Sequence, residues 1–274
     1  METIKVFLLA IIQGIGEFLP VSSSGHLLAA GKLLWGEKAV GGELFTLEIL
    51  LHAGTLLSIL IVFRREILAI LTDRKNWRIV AMLVIASIPT AVIGLFIQKK
   101  LPLLNESLPV AGLGFLFTAT LLITVVRKSN GESPISEITG GETKKPLDKL
   151  TLADALFIGL FQGIAVLPGF SRSGLTIASA LMRHIDRKDA ATFSFLLAIP
   201  AIGGVTLLEG IQLFQKPGAF SDPRMPLWFL GVLASCLVGI ISLVWLLKWL
   251  KSGALWRFAW WLIPLGLITL WFSL

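Results

Sequence analysis

Arg172 lies within an apolar stretch, and a guanidinium at membrane depth costs roughly 2.5–3.5 kcal/mol on insertion scales, so it usually has a partner or a function. Pro168-Gly169 ends a helix just before it. Ser171-Arg172-Ser173-Gly174 opens the next, which runs through Thr176 to about Arg183. Backbone N–H groups at a helix start, the hydroxyls of Ser171, Ser173 and Thr176, and a forked cation together make an oxyanion site suited to phosphate. An internal ion pair is the other use of such an arginine.

An earlier segment holds groups that complement it. Gln13 and Glu17 are four apart and share one helix face, and Pro20 stops that helix soon after. A carboxylate there can bind a divalent cation through oxygen, move a proton, or pair with Arg172. Ser22, Ser23 and Ser24 then precede Gly25-His26. Ser23 and His26 are three apart where a new helix should begin, a spacing that lets the imidazole reach the hydroxyl. Serines at such a place also serve as N-caps. Glu48 and His52 form a further i,i+4 pair, with Glu48 a candidate second carboxylate. His52 is less informative, and His184, after Arg183 at a helix end, reads as solvated.

These residues need elements to position them, and composition says where those elements lie. Hydrophobic residues make up 55% of the 274 and charged residues only 15%, whereas soluble domains carry about 25% charged. The apolar residues fall in blocks of roughly 20, enough to cross a bilayer. Six blocks are long enough to span: about 44–63, 78–98, 107–127, 189–210, 226–248 and 254–273. Two others, 3–34 and 151–184, are broken at Pro20 and at Pro168-Gly169, the pattern of hairpins that enter the bilayer and turn back under the cover of protein.

The two breaks resemble each other. Gln13-Gly14-Ile15 aligns with Gln162-Gly163-Ile164, and Ser22, Ser24 and Gly25 align with Ser171, Ser173 and Gly174, at an offset of 149 residues. A hairpin followed by three spans, repeated, inverts the second half. The expected fold is therefore an all-α integral membrane protein with six transmembrane helices and two re-entrant helical hairpins in an inverted-topology repeat. Repeat one is about 1–127, a linker rich in Gly, Ser, Thr, Glu and Lys is about 128–150, and repeat two is about 151–274.

Loop charges set the orientation. One side holds sixteen basic residues: Arg64, Arg65, Arg74, Lys75, Arg78, Arg127, Lys128, Lys144, Lys145, Lys149, Arg183, Arg187, Lys188, Lys248, Lys251 and Arg257. The other has Lys32, Lys38, Lys99, Lys100, Lys216 and Arg224, with Lys5 near it. The positive-inside rule makes the first side cytoplasmic, so the first hairpin enters from the outer face. Because the basic residues are scattered in short loops, the net charge of +7 reflects topology and not nucleic-acid binding. Lys5 and the short apolar run after it have no small-residue cleavage site, so the segment is expected to be retained. Trp35, Trp77, Trp228, Trp249 and Trp256 fall near span ends, as interface anchors do. The lone Cys236 leaves no intrachain disulfide, and neither a Walker loop nor a dinucleotide fingerprint is present.

The segments Gln13-Gly-Ile-Gly-Glu17-Phe-Leu-Pro-Val-Ser-Ser-Ser-Gly-His26 and Leu167-Pro-Gly-Phe-Ser-Arg-Ser-Gly-Leu-Thr176 closely resemble the two signature segments of the bacterial undecaprenyl-diphosphatase family, also called bacitracin-resistance proteins. Hydrophobic layout and length match from end to end. The resemblance implies hydrolysis of undecaprenyl diphosphate to the monophosphate and phosphate, which recycles the lipid carrier of peptidoglycan precursors and can confer bacitracin resistance. It implies a divalent metal such as Mg2+ or Ca2+, and it implies functional roles for Glu17, Ser23, His26 and Arg172. The first acidic-motif position is Glu or Gln in the family and is Gln13 here, so Glu48 becomes the candidate second metal ligand beside Glu17. The acid-phosphatase-like lipid phosphatases share Ser24-Gly25-His26 but place a His six residues after their Arg, where this chain has Ala178.

The expectation is thus a multi-pass protein of the bacterial inner membrane whose site opens to the periplasmic face. Its partners are a polyprenyl diphosphate and membrane lipids, with a homodimer as a candidate assembly. Arg172, Ser171, Ser173, Thr176, Ser22, Ser24 and Gln13 would hold the substrate, and either Ser23 or a water would attack phosphorus while His26 handles the proton. A secondary transporter or lipid flippase shares the architecture and is the rival reading.

Overall fold

The computed structural model describes residues 2–36, 43–126, 144–215, 223–251 and 254–273. Linker residues 128–143, with Lys38, Arg127 and Lys216, lie outside them, as does the side chain of Trp35. Among the described residues the secondary structure is helical, apart from an isolated bridge between Lys145 and Ile185.

Among the described residues, five helical stretches are long and apolar enough to cross a membrane: Arg74–Lys100, Leu108–Val126, Arg187–Leu208, Met225–Leu250 and Ala254–Trp271. A sixth candidate is a pair bent by 69° at Phe63, between α3 (Glu43–Val62) and α4 (Arg64–Thr72). The remaining long helices are α5 (Trp77–Lys100), α6 (Leu108–Leu121), α9 (Arg187–Gln215), α10 (Met225–Lys251) and α11 (Ala259–Trp271). All six expected apolar blocks are mostly helical over their described residues. The bend at Phe63 comes where Arg64 and Arg65 end the apolar run, so that α4 turns its charged residues aside.

The two interrupted blocks are pairs of short helices. The first comprises α1 (Glu2–Gly16) and α2 (Ser23–Trp35), the second α7 (Leu152–Ile164) and α8 (Arg172–Met182). At 1.5 Å per residue even the 15 residues of α1 reach only about 22 Å, short of a hydrocarbon core of about 30 Å. Each second helix starts on a serine cap. Ser22 accepts from the N–H of Gly25 at 3.4 Å, and Ser171 accepts from Gly174 at 3.2 Å. In both pairs the cap serine also meets the serine two residues on, at 3.3 Å. The aligned serines therefore make the same local bonds.

Small residues let these pairs pack closely. α1 lies against α10, with Gly14 against Val238 and the Ser235 carbonyl, while α7 lies against α5, with Gly163 against Ile93. α6 packs on α11, and α3 on both α9 and α10. The tips meet in the centre. A methyl on Gly25 would fall 2.8 Å from Gly169, and one on Gly174 would fall 3.3 Å from Pro20, so each tip presses on the other. Phe18, Phe115 and Phe195 are fully buried around them. Val84, Ile88 and Val92 on α5 and Leu233, Leu237 and Ile241 on α10 face outward at intervals of four, giving the apolar exterior that lipid requires.

At the base of α7 a capping box joins Thr151 and Asp154. Lys145 and Arg183 bind the buried Asp154 at 2.6 and 2.7 Å, tying the chain before α7 to the end of α8. Trp228, near the start of α10 where an interface anchor is expected, is buried against protein, with the Arg224 guanidinium 5.3 Å from its ring centroid.

Gly169 has φ +84°, and a methyl there would collide with the carbonyl of Ala111. Gly169→Ala should lower the melting temperature of purified protein, since left-handed backbone and collision both oppose it. Gly210→Ala on α9 meets open space and should raise stability by about 0.5–1 kcal/mol. Thermal unfolding followed by fluorescence size exclusion checks the opposite signs.

Candidate active site

The first helix ends at Gly16, but the N–H of Glu17 still bonds the carbonyl of Gln13 at 2.9 Å, so the two side chains keep their shared face. Ser22 then adopts a left-handed φ of 68°, a conformation that costs a non-glycine residue about 1–3 kcal/mol and turns the chain sharply into α2.

Glu17 is the centre of a cluster. Arg172 donates Nη2–H to Oε1 at 2.6 Å, while Ser23 Oγ and Gln13 Nε2 donate to Oε2 at 2.9 and 3.0 Å. His52 Nε2 stands 3.7 Å from Oε2. Glu17 and Arg172 side chains are only 6% and 13% exposed, so the pair sits in a medium where charges act strongly. The second arm of Arg172 donates to the Ser194 carbonyl at 3.3 Å. A guanidinium has five N–H donors, so these two bonds leave donors for ligand oxygens.

The expected residues divide into two sets. Glu17, Ser23, Gln13 and Arg172 come together. His26 does not turn to Ser23: its Nδ1 bonds the Ser22 carbonyl at 2.8 Å and its Nε2 accepts from Trp261 Nε1 at 2.9 Å. The reason is local, since the Ser22 carbonyl, one turn before His26 in α2, accepts from Nδ1, while the Ser23 hydroxyl is taken by Glu17. Ser22, Ser24 and Ser171 shape the tips, and Ser173 Oγ donates to the Leu19 carbonyl at 3.2 Å across them. Thr176 Oγ1 lies 2.6 Å from Ser194 Oγ and 2.7 Å from the Arg172 carbonyl. His52 proves closer to the centre than its spacing suggested. Thr55, Ser194 and Trp261 join the site with no sequence signal beyond being polar residues in apolar helices, Thr55 accepting from Gln13 at 3.4 Å.

The donor set has a bearing on metal binding. Among the described residues no three His, Cys, Asp or Glu side chains form a cage. Mg2+, however, is commonly held by one or two carboxylates together with substrate phosphates and water. Gln13 Oε1 is buried and without a partner in the protein, an unspent oxygen beside Glu17. A carboxylate offers about four lone-pair sites, of which Glu17 uses three. Glu48, one turn before His52, lies within electrostatic reach of both His52 and Glu17. These hard oxygens fit a divalent cation.

Fold and site together define a multi-helix membrane protein with a buried carboxylate, guanidinium and serine joined across two helix breaks. The chain matches the family described as Bacitracin resistance protein BacA over residues 6–268, and it belongs to that family. A Rhodopirellula baltica protein named undecaprenyl-diphosphatase is 42% identical to it, covering 98% of this chain and 97% of that one. A Carboxydothermus hydrogenoformans protein of the same name is 36% identical over the same shares. A Bacillus cereus protein named undecaprenyl-diphosphatase 4 is 35% identical, again over 98% and 97%.

Removing one member of a buried ion pair strands the other, at a cost of about 3–5 kcal/mol, whereas replacing both with apolar groups can be neutral. Glu17→Met and Arg172→Met should each melt well below the native protein. The double variant should melt above either single one, and a melting point at the sum of the two losses would remove the coupling.

Proposed function

We propose that this chain hydrolyses undecaprenyl diphosphate to undecaprenyl phosphate and inorganic phosphate, recycling the lipid carrier for peptidoglycan synthesis and thereby giving resistance to bacitracin. Relatives named for that activity align along nearly the whole chain, and the family name concerns bacitracin resistance. The observation that carries the reading at the level of the site is the contact of Glu17 with both Arg172 and Ser23, which unites the two helix breaks.

In this reading the two short-helix pairs are re-entrant hairpins, and the chain is an inverted repeat of about 1–127 and about 151–274 joined by a cytoplasmic linker. The reciprocal glycine contacts at the tips, the matching serine bonds and the exchange of packing partners between α1 and α7 support it. The basic loops then face the cytoplasm, and the site opens to the periplasmic side of the inner membrane.

Arg172 binds the oxygens of the terminal phosphate, and the start of α8 adds its backbone N–H groups. Ser23 attacks the terminal phosphorus, its proton passing to Glu17 Oε2, on which it already rests. The bond from that phosphorus to the bridging oxygen breaks, and the prenyl monophosphate departs with the electron pair. Water then attacks the phosphoserine, His26 takes the water's proton, and inorganic phosphate and the Ser23 hydroxyl are restored. Ser171, Ser173, Thr176, Ser22 and Ser24 hold the tips in shape around the phosphates. Glu17, Glu48 and Gln13 Oε1 would hold a divalent cation, which when bound offsets the diphosphate charge.

Purified protein in detergent should release phosphate from a polyprenyl diphosphate, and a chelator should abolish the release. Arg172→Ala and Glu17→Ala should each lower the rate at least about hundredfold in the folded fraction. Rapid quench with terminally labelled substrate should capture label on Ser23. Full activity in both variants, or lipid transport with no phosphate release, would overturn the proposal.

A further inference from the structure

Any proton that His26 handles must pass through Nε2, and that atom is covered. The Ser22 carbonyl can only accept, so Nδ1 carries the hydrogen of their 2.8 Å bond. The Trp261 indole can only donate, so Nε2 presents its lone pair across 2.9 Å. His26 is thereby set as the neutral tautomer protonated at Nδ1. The two rings lie 10° from parallel with centroids 6.2 Å apart, which is the side-by-side geometry of an in-plane N–H···N bond and leaves little face-to-face overlap.

The surroundings of the imidazole are unequal. Phe115 meets the ring edge-on with centroids 5.2 Å apart, and it is fully buried. It is a fixed wall, held close by Gly25, where even a methyl would come within 2.6 Å of it. Trp261 on α11 is 58% exposed, so its side chain can swing away with little disturbance to the core. The movable neighbour is therefore the one that holds the reactive nitrogen.

An indole N–H cannot accept a proton. While it occupies Nε2, His26 can neither take a proton from water nor offer an N–H to a phosphate oxygen. Once Nε2 is protonated, two N–H groups would face each other and the contact would break. The geometry points to Trp261 as a positioning residue for His26, which presets its tautomer in the unliganded protein and must give up Nε2 when the substrate binds, so that the nitrogen is free for the water's proton. This rests on the hydrolase reading above and adds to it a residue outside both signature segments.

Trp261→Phe keeps an aromatic side chain and removes the donor. Losing a neutral hydrogen bond that substrate must break should lower KM for a polyprenyl diphosphate about fivefold, with the gain in KM and not in kcat. A role in packing alone would leave KM unchanged, and a fall in kcat with KM unchanged would mean that the indole has to stay on Nε2 during turnover; either result overturns the inference. A second measurement is independent of turnover. The chain has three histidines, so protein labelled with 15N-histidine gives few signals. The Nε2 resonance of His26, assigned by its loss in His26→Gln, should move toward the position of a free imidazole nitrogen in Trp261→Phe and move in the native protein when a non-hydrolysable prenyl methylenediphosphonate is added. An Nε2 resonance identical in the native protein and Trp261→Phe would sink the inference. Native protein that releases no phosphate would sink the hydrolase reading instead.

Discussion

A single ion pair, Glu17 with Arg172, joins parts of the chain 155 residues apart in a region from which water is largely excluded. Neither charge is comfortable there alone, because the cost of desolvating an ion falls on whichever partner is left unmatched. The two interrupted helix pairs therefore have to meet, and much of the architecture can be understood as the means by which they do. The glycines at the tips remove side chains where the backbones approach, and α10 and α5 press the outer helices inward at Gly14 and Gly163.

That constraint also sets the character of the site. Glu17 is held by three donors before any ligand arrives, so its orientation is prepared and little reorganisation is needed when charge moves. Ser23 already rests its proton on the carboxylate. Arg172 spends part of its donor capacity on Glu17 and the Ser194 carbonyl and keeps the rest. In the proposed reaction a diphosphate beside this guanidinium would bring negative charge next to Glu17, and a divalent cation at the unspent Gln13 oxygen and the carboxylates would offset it.

The tips combine rigidity with one adjustable contact. Phe18, Phe115 and Phe195 pack without exposure around the first tip, and the cap serines bind backbone and each other. Trp261 is the exception, a large residue facing outward on α11 yet bonded to the imidazole within. An exposed indole can yield without repacking the core.

Much of this could be read from the residues in order, because hydropathy, helix breaking and capping are local properties. Runs of apolar residues located the long helices to within a few positions, Pro20 and Pro168-Gly169 located the breaks, and a charge within apolar sequence singled out Glu17 and Arg172. What the order of residues could not decide was which partner each polar group would choose. Ser23 and His26 have the spacing of a pair, yet Glu17 takes the serine, and the imidazole goes to the Ser22 carbonyl and to an indole 235 residues away. Thr55, Ser194 and Trp261 belong to the site only because α3, α9 and α11 pack where they do. A hydrogen bond depends on tenths of an ångström and on the direction of a lone pair, and those are settled by how helices lie against one another, not by their spacing along the chain.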